Sequence, residues 1–447
     1  MPHNGSKFRI SEQLSGDRVS RPIAYDVTRL FLGPLSRTPR GIDRIDMILA
    51  EHFFATGKEA NVGVLPTPWG MRIYSAPRVR RGLANLRRLW AEDINPSNDP
   101  IWSALRQRMV SGARETYQKP KTMSFTTRAA RLGSSLSATG ISPGRSAIRY
   151  VPRGAVYLNI GHLSLAVPHF QRWLDRRPDI TSIFMLHDVI PLENPEFVSP
   201  SSARHHDAMV ASTVRHADAV IVTTRHAHST VTDALAQRGR PNIPTFARAL
   251  PLPAAFERRG QAHTDLAHLP YYVVCGSIEP RKNHSLLHGV WKNLSKQLGE
   301  ATPHLVVVGS PGWNSEKLLS QLENCAATRR RIHPVSGLST PALKQLLVGA
   351  RGLLMPSWNE GFGLPVLEAN ALGIPVIASD IPSHREVASK LTFLLNPGDA
   401  DAWERILLDW HHRGVPVTPA RAANDDADLY CRDIANFLER CAWEKMQ

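Results

Sequence analysis

Gly352-Leu353-Leu354-Met355 is followed by Pro356-Ser357-Trp358-Asn359-Glu360-Gly361-Phe362-Gly363-Leu364-Pro365-Val366-Leu367-Glu368, and this run decides the fold. An apolar run without polar alternation reads as a strand buried on both faces, the signature of a parallel sheet. Two glycines then loosen the chain, and Pro365 suits the first position of a helix. The stretch is therefore one strand–loop–helix unit, with Glu368 expected in the first helical turn and Glu360 outside it.

The unit repeats in both directions. Tyr271–Ile278, Leu305–Val308, Pro375–Ala378 and Leu391–Leu395 read as further buried strands. Between them Leu286, Leu287, Val290, Trp291 and Leu294 share a helical face, as do Leu318, Leu319 and Leu322. Strand and helix alternating in this way predict a doubly wound α/β sheet. Upstream the logic recurs, with strands at Ile23–Val27, Ala155–Ile160, Thr181–Leu186 and Ala219–Val222 and helices near Leu165–Arg176, Ala203–Arg215 and Ala227–Gln237. A linker carrying Pro251, Pro253 and Pro270 separates the halves. The expected organisation is an N-terminal Rossmann-like domain over 1–255, a C-terminal one over 256–425, and a final helix over 426–447 packing back on the first. Pro68–Arg149 fits the alternation poorly and reads as an insertion in the first domain, with Gly82–Trp90 a basic amphipathic helix and Ser134–Gly144 a loop.

The chain has 447 residues and a formal net charge of +15. No apolar run approaches the ~18–20 residues of a membrane span. Met1–Arg18 lacks an apolar core of the kind that directs export, so a cytoplasmic protein is expected. Its four cysteines share no CxxC spacing, which excludes a zinc finger or a disulfide scaffold. Residues 1–150 hold 24 Lys+Arg against 11 Asp+Glu, and the excess is concentrated in Arg72–Arg149, at 15 against 4. Such a basic face fits phospholipid headgroups, polyprenyl phosphates, nucleotides or nucleic acid, or simply a solvated surface. Trp90 and Trp102, within it, are candidate contacts to a headgroup layer.

Two segments carry chemistry. The loop after Met355 sets two carboxylates beside free backbone N–H groups at the carboxyl edge of a sheet, where doubly wound folds bind ligands. Amides suit a phosphate, and carboxylates suit sugar hydroxyls. Gly276-Ser277-Ile278-Glu279-Pro280-Arg281-Lys282-Asn283 follows another strand directly. Arg281 and Lys282 offer a diphosphate a fork donor and a point charge, and Asn283 is a candidate N-cap. In the first half, Gly41 opens a helix striped by Ile42, Ile45, Leu49 and Phe53, a place where backbone can approach an anion.

Glu360 to Glu368 resembles the E-x7-E element, and Gly276 to Asn283 the G-S-x-E-P-R-K-N element, of the retaining nucleotide-sugar glycosyltransferases of family 4, which have the GT-B fold. Leu186-His187-Asp188-Val189-Ile190-Pro191 resembles the H-D-x-x-P turn of members that often transfer mannose. Asp26–Leu30 and Gly41–Arg44 are similar to members of bacterial exopolysaccharide and O-antigen assembly. The resemblance implies two Rossmann-like domains facing across a cleft and transfer of a hexose, mannose from GDP-mannose first and a UDP-hexose second. The acceptor would be a glycan or a polyprenyl-diphosphate-linked oligosaccharide at the inner face of the cytoplasmic membrane. It implies that Arg281 and Lys282 neutralise the donor diphosphate, Glu368 holds the ribose, and Glu360 holds the transferred sugar. Gly41, Gly361 and the amides of Phe362, Gly363 and Leu364 would line the donor, and His187 would face the reacting sugar. Neither a cofactor nor a metal is implied. Asp43 departs from the family's second glycine and is expected to point away from the phosphates or to meet Arg44.

Three other features have bland readings. Asp426-Ala427-Asp428 is a DxD, but it opens a helix, where acidic residues are favoured by the dipole. His205, His206, His216, His226 and His228 match no metal-ligand spacing. Ser310–Trp313 is a turn that either lines the nucleotide pocket or serves structure alone. Outside enzymology, the basic composition fits a nucleic-acid-binding protein or a non-catalytic scaffold, yet no helix-turn-helix, finger or RRM-like sequence supports the former.

Overall fold

A computed structural model of the chain describes residues 21–33, 39–90, 94–112, 144–416 and 427–447. Two sheets organise it. The first contains β1 (Ile23–Asp26), β2 (Val62–Thr67), β3 (Gly70–Ser75), β4 (Arg145–Ser146), β5 (Val156–Asn159), β6 (Thr181–Met185), β7 (Ala219–Val222) and β8 (Thr245–Ala247), in the order β4-β3-β2-β1-β5-β6-β7-β8. Six of these strands run parallel, and β3 and β4 extend the edge antiparallel. The second holds β9 (Tyr271–Cys275), β10 (His304–Val308), β11 (Ile332–Val335), β12 (Gly352–Met355), β13 (Val376–Ser379) and β14 (Thr392–Leu395) in the order β11-β10-β9-β12-β13-β14, all parallel. The chain reverses direction across the sheet between β9 and β12, and in the first sheet between β1 and β5. Crevices for ligands open at the carboxyl ends of strands at such switch points.

Each sheet is covered on both faces by buried apolar clusters, as the unalternating strands require. The helix Ala427–Glu444 contributes Tyr430, Ile434, Phe437 and Leu438 to the core of the first sheet, Phe437 stacking on Phe246 at 4.9 Å.

The described residues of Pro68–Arg149, the stretch expected to be an insertion, are largely regular structure. β3 and β4 belong to the first sheet, and the helix Ala76–Trp90 buries Val79, Gly82, Leu83, Leu86 and Trp90 at helical spacing. A side chain at Gly82 would lie 2.6 Å from the Phe31 ring, so helix and core meet there at backbone distance. The next helix, Pro100–Ser111, leaves the first half altogether. Its Trp102, Leu105 and Met109 enter the core of the second sheet, and Asp99 accepts the Ser339 N–H at 2.8 Å. Trp90 and Trp102 are 4% and 0% exposed, which removes both as headgroup contacts. In the sequence, Pro66 and the Pro68–Gly70 turn obscure the β2–β3 hairpin, whose strands lack the long apolar run. Of the loop expected over Ser134–Gly144, all but Gly144 itself lies outside the described residues. Over Leu165–Arg176 the helix is a single turn, Pro168–Gln171, followed by a tight turn at Leu174–Arg176.

Candidate functional site

After β9 the backbone turns at Gly276 (φ 147°), and the neighbouring strand end approaches so closely that a side chain at Gly309 would lie 1.7 Å from the Gly276 carbonyl oxygen. The Ile278 N–H donates to Ser310 O and the Gly312 N–H to Ile278 O, both at 2.9 Å. The Ser310–Trp313 turn thus braces the Gly276 loop. Pro280–Lys282 forms one tight turn, and Asn283 takes the left-handed conformation (φ 52°). Its side chain does not cap the following helix; it donates to Pro397 O at 2.9 Å and pins the turn to the far side of the sheet.

This turn aims two cations at one carboxylate. Lys282 Nζ lies 2.5 Å from Glu360 Oε1 and Arg281 Nη1 3.0 Å from Oε2, while Ser357 donates to Oε1 at 2.7 Å. Arg281 also donates to Asn359 O at 2.6 Å and pairs with Glu279 at 3.0 Å. Burial alone would raise the Glu360 pKa, but Lys282 and Arg281 hold it well below the ordinary carboxylate range. Burial lowers that of Lys282, with Glu360 opposing.

Gly363 (φ 96°) precedes the helix Leu364–Ala371, with Pro365 at its second residue. Glu368 lies beyond the first turn, contrary to expectation, so compensation of the helix dipole does not account for it. It is 4% exposed and pairs with Arg44 of the first half at 2.5 Å. Burial, only partly offset by Arg44, leaves its carboxyl above the ordinary range.

The facing wall comes from the first sheet. Gly41 starts the helix Gly41–Phe53, and a side chain there would crowd the Leu364 methyl at 3.1 Å, so helix and facing loop meet closely at this point. Asp43 meets Arg29 at 2.6 Å and accepts the Arg40 N–H at 2.7 Å; it therefore caps its own helix and does not meet Arg44. His187, just past β6, has its Nε2 3.2 Å from Ile160 O. Burial and then Arg29 lower its pKa to about 4, so the ring is neutral at pH 7.

His162 escaped the sequence reading. It is held at φ 66°, its N–H donating to Asn159 Oδ1 at 3.0 Å, and its ring lies 4.7 Å from that of His187. A non-glycine residue in the left-handed region inside a cleft was the available signal, visible only in the structure. Beneath it, Asp26 accepts from Tyr157, Asn159 and Ser164, a buried network that stiffens the loop after β5.

The two walls touch. The Thr223 hydroxyl lies 3.3 Å from the His187 carbonyl and 3.4 Å from that of Gly361. A side chain at Gly361 would fall 2.6 Å from Asp188 Oδ2. Asn359 donates to Asn194 at 3.0 Å, and Glu386 accepts the N–H groups of Arg225 and His226 at the start of a helix. His187, Glu360, Arg281, Lys282 and Gly361 thereby come together; Glu368, Gly41 and Leu364 gather next to them around Arg44. Phe362, 8% exposed, packs with Leu364 into the core of the first sheet.

Among the described residues no three His, Cys, Asp or Glu side chains group to hold a metal ion. Asp426 lies outside the described residues, and Asp428 sits in the first turn of the last helix.

Residues 263–422 match the family model "Glycosyl transferases group 1". The chain is 27% identical over 274 residues to the serotype-specific mannosyltransferase WbdA of Escherichia coli, covering 58% of this chain and 31% of that protein. It is 34% identical over 137 residues to the O-antigen chain mannosyltransferase B of Escherichia coli, covering 31% and 35%. To the O-antigen chain mannosyltransferase RfbU of Salmonella typhimurium it is 31% identical over 134 residues, covering 30% and 36%. The chain thus spans about a third of the length of these curated relatives. Among solved structures, Anabaena HepE in complex with UDP superposes with a TM-score of 0.56 at 15% identity, over 94% of this chain and 100% of that one. Sucrose-phosphate synthase from Thermosynechococcus elongatus gives 0.53 at 15% identity, over 95% and 97%. These likenesses establish the fold: two Rossmann-like domains in the GT-B arrangement.

Proposed function

We propose that the protein, whose residues 263–422 match the group 1 glycosyltransferase model, is a retaining hexosyltransferase of family 4. We take its donor to be a nucleotide sugar, GDP-mannose before a UDP-hexose, and its acceptor a glycan or polyprenyl-diphosphate-linked oligosaccharide of a bacterial surface polysaccharide. The observation that carries the reading is the convergence of Arg281 and Lys282 on Glu360 at the β9/β12 switch point, one hydroxyl away from the backbone of His187. The mannosyltransferase relatives favour the sugar.

In this reading Arg281 and Lys282 turn from Glu360 toward the donor diphosphate, and Glu360 accepts hydroxyls of the transferred hexose. Glu368 accepts those of the ribose. The acceptor hydroxyl bonds to the anomeric carbon on the face from which the diphosphate oxygen departs, and its proton passes to that oxygen. Charge growing on the leaving group is met by these two cations, which stand in a water-poor site before the reaction begins. His187, neutral and hydrogen-bonded to Ile160, offers the sugar a polar group without adding a competing charge. The residues assemble this chemistry without calling for a metal ion, and turnover is expected to survive excess EDTA.

The helix Ala76–Trp90 presents Arg81, Arg87, Arg88 and Leu89 outward. No helix among the described residues is long and apolar enough to cross a membrane. We assign this face to reversible attachment at an anionic membrane, each basic residue near such a surface contributing roughly 1 kcal/mol. Sedimentation with phosphatidylglycerol vesicles is expected, falling with salt and with Arg81→Gln/Arg88→Gln; binding to duplex nucleic acid instead would overturn the assignment. For the donor, a thermal-shift panel of GDP-, UDP- and ADP-sugars tests the reading, with GDP-mannose expected to stabilise most. No shift with any of them would refute it.

A further inference from the structure

Arg44 comes from the first half yet is built into the second. Its guanidinium is buried, pairs with Glu368 at 2.5 Å, reaches Thr340 Oγ1 at 3.4 Å, and lies 5.3 Å above the Phe256 ring. Its Nε is buried and has no hydrogen-bond partner among the described residues. Arginine is a rigid fork with five N–H donors and cannot shed its charge, so an unused buried donor is costly unless something comes to take it. Cys275, at the end of β9, lies within electrostatic reach of Glu368, Arg44 and Lys282 alike, which sets all three around one strand end.

The charge balance gives the direction. In the second half two cations, Arg281 and Lys282, stand with three carboxylates, Glu279, Glu360 and Glu368. Without Arg44 that cluster is negative by one unit and with it neutral, so Arg44 supplies the charge that the second half lacks for receiving an anion. We propose that Arg44 is a donor-binding residue supplied from across the cleft: it holds Glu368 while the site is empty, and contacts the diphosphate of the donor once the ribose hydroxyls engage Glu368. The donor site is then complete only when the two halves are together, and diphosphate binding and closure favour each other. This rests on the reading of Glu368 as the ribose acceptor.

A plain latch makes the opposite prediction, because removing it would free Glu368 and tighten binding. The test is calorimetry with GDP, UDP and the corresponding nucleosides on the parent protein, Glu368→Gln, Arg44→Met and the double variant. The double variant buries no lone charge and guards against loss of folding. If Arg44 contacts the diphosphate, Arg44→Met weakens diphosphate binding about tenfold or more in both the parent and the Glu368→Gln background. Nucleoside affinity changes little, and Arg44→Lys recovers part of the loss. Equal or tighter diphosphate binding in the double variant than in Glu368→Gln overturns the proposal while leaving the donor site standing. A parent that binds no nucleotide overturns the site itself.

Discussion

Replacing Lys282 by methionine keeps the aliphatic stem, which packs beneath the Gly276 loop with Cε 3.1 Å from where a Gly276 side chain would begin, and removes only the ammonium. The lost group lies 2.5 Å from Glu360, with both side chains about nine-tenths buried. Breaking a buried pair outright costs ~3–5 kcal/mol because it strands the partner. Here Glu360 keeps Arg281 at 3.0 Å and Ser357 at 2.7 Å, so the stability loss is expected nearer ~1–3 kcal/mol by the scale for hydrogen bonds to charged groups. A charge-assisted contact to a diphosphate is worth ~1.5–3 kcal/mol, so nucleoside diphosphates are expected to bind about 10–150-fold more weakly. Nucleosides, which lack the phosphates, are expected to bind as before. Urea denaturation reads the first quantity and calorimetry the second. Diphosphate affinity equal to that of the parent, or an equal loss for diphosphates and nucleosides, would refute the assignment of Lys282 to the phosphates.

Gly361→Ala drives a methyl group to 2.6 Å from Asp188 Oδ2 and so pries the walls apart; turnover is expected to fall about tenfold, on the ~1–3 kcal/mol scale of overpacking, with part regained when Asp188→Ser is added. The unfolded chain protonates His187 near 6.5 and the folded one only near about 4, so acidification across that window favours unfolding; in His187→Gln the fall in stability between pH 6.5 and 5, followed by urea titration, is expected to be shallower by up to one proton. Glu360 acts in the same direction at lower pH: its depressed pKa contributes stability present above about 4.5 and lost on further acidification, so Glu360→Gln flattens the acid limb of the same titration. Trp102→Ala empties a fully buried site in the core of the second sheet and is expected to cost ~3–5 kcal/mol, read by the melting of the C-terminal half.

The parallel strands were legible because burial on both faces writes an uninterrupted apolar run, as at Gly352–Met355 and Ala219–Val222, where reading and structure agree to the residue. β2 and β3 were not, since Gly63 and Pro66 interrupt the first and partly exposed Gly70 and Arg72 interrupt the second, leaving no such run. Nor does anything local mark the Pro100–Ser111 helix as belonging to the second sheet; Trp102, Leu105 and Met109 say only that one face is covered, not by what. The loop residues of the site were found from their glycines and charges. Their pairing was not: Glu368 with Arg44 and Asp43 with Arg29 join residues far apart in sequence or on different elements, and only the packed halves decide those partners. His162 carries no sequence signal, since its constraint is a backbone angle.

The central claim is that the crevice between β9 and β12 takes a nucleotide sugar through Arg281 and Lys282. Release of nucleoside diphosphate from a panel of GDP- and UDP-hexoses in the presence of a lipid-linked glycan acceptor, for the parent and for Arg281→Ala/Lys282→Ala, tests it most directly. The parent is expected to turn over GDP-mannose fastest, and the double variant to lose at least about a hundredfold, two charge-assisted contacts having gone. Equal rates for parent and double variant, or no release from any nucleotide sugar by the parent, would contradict it.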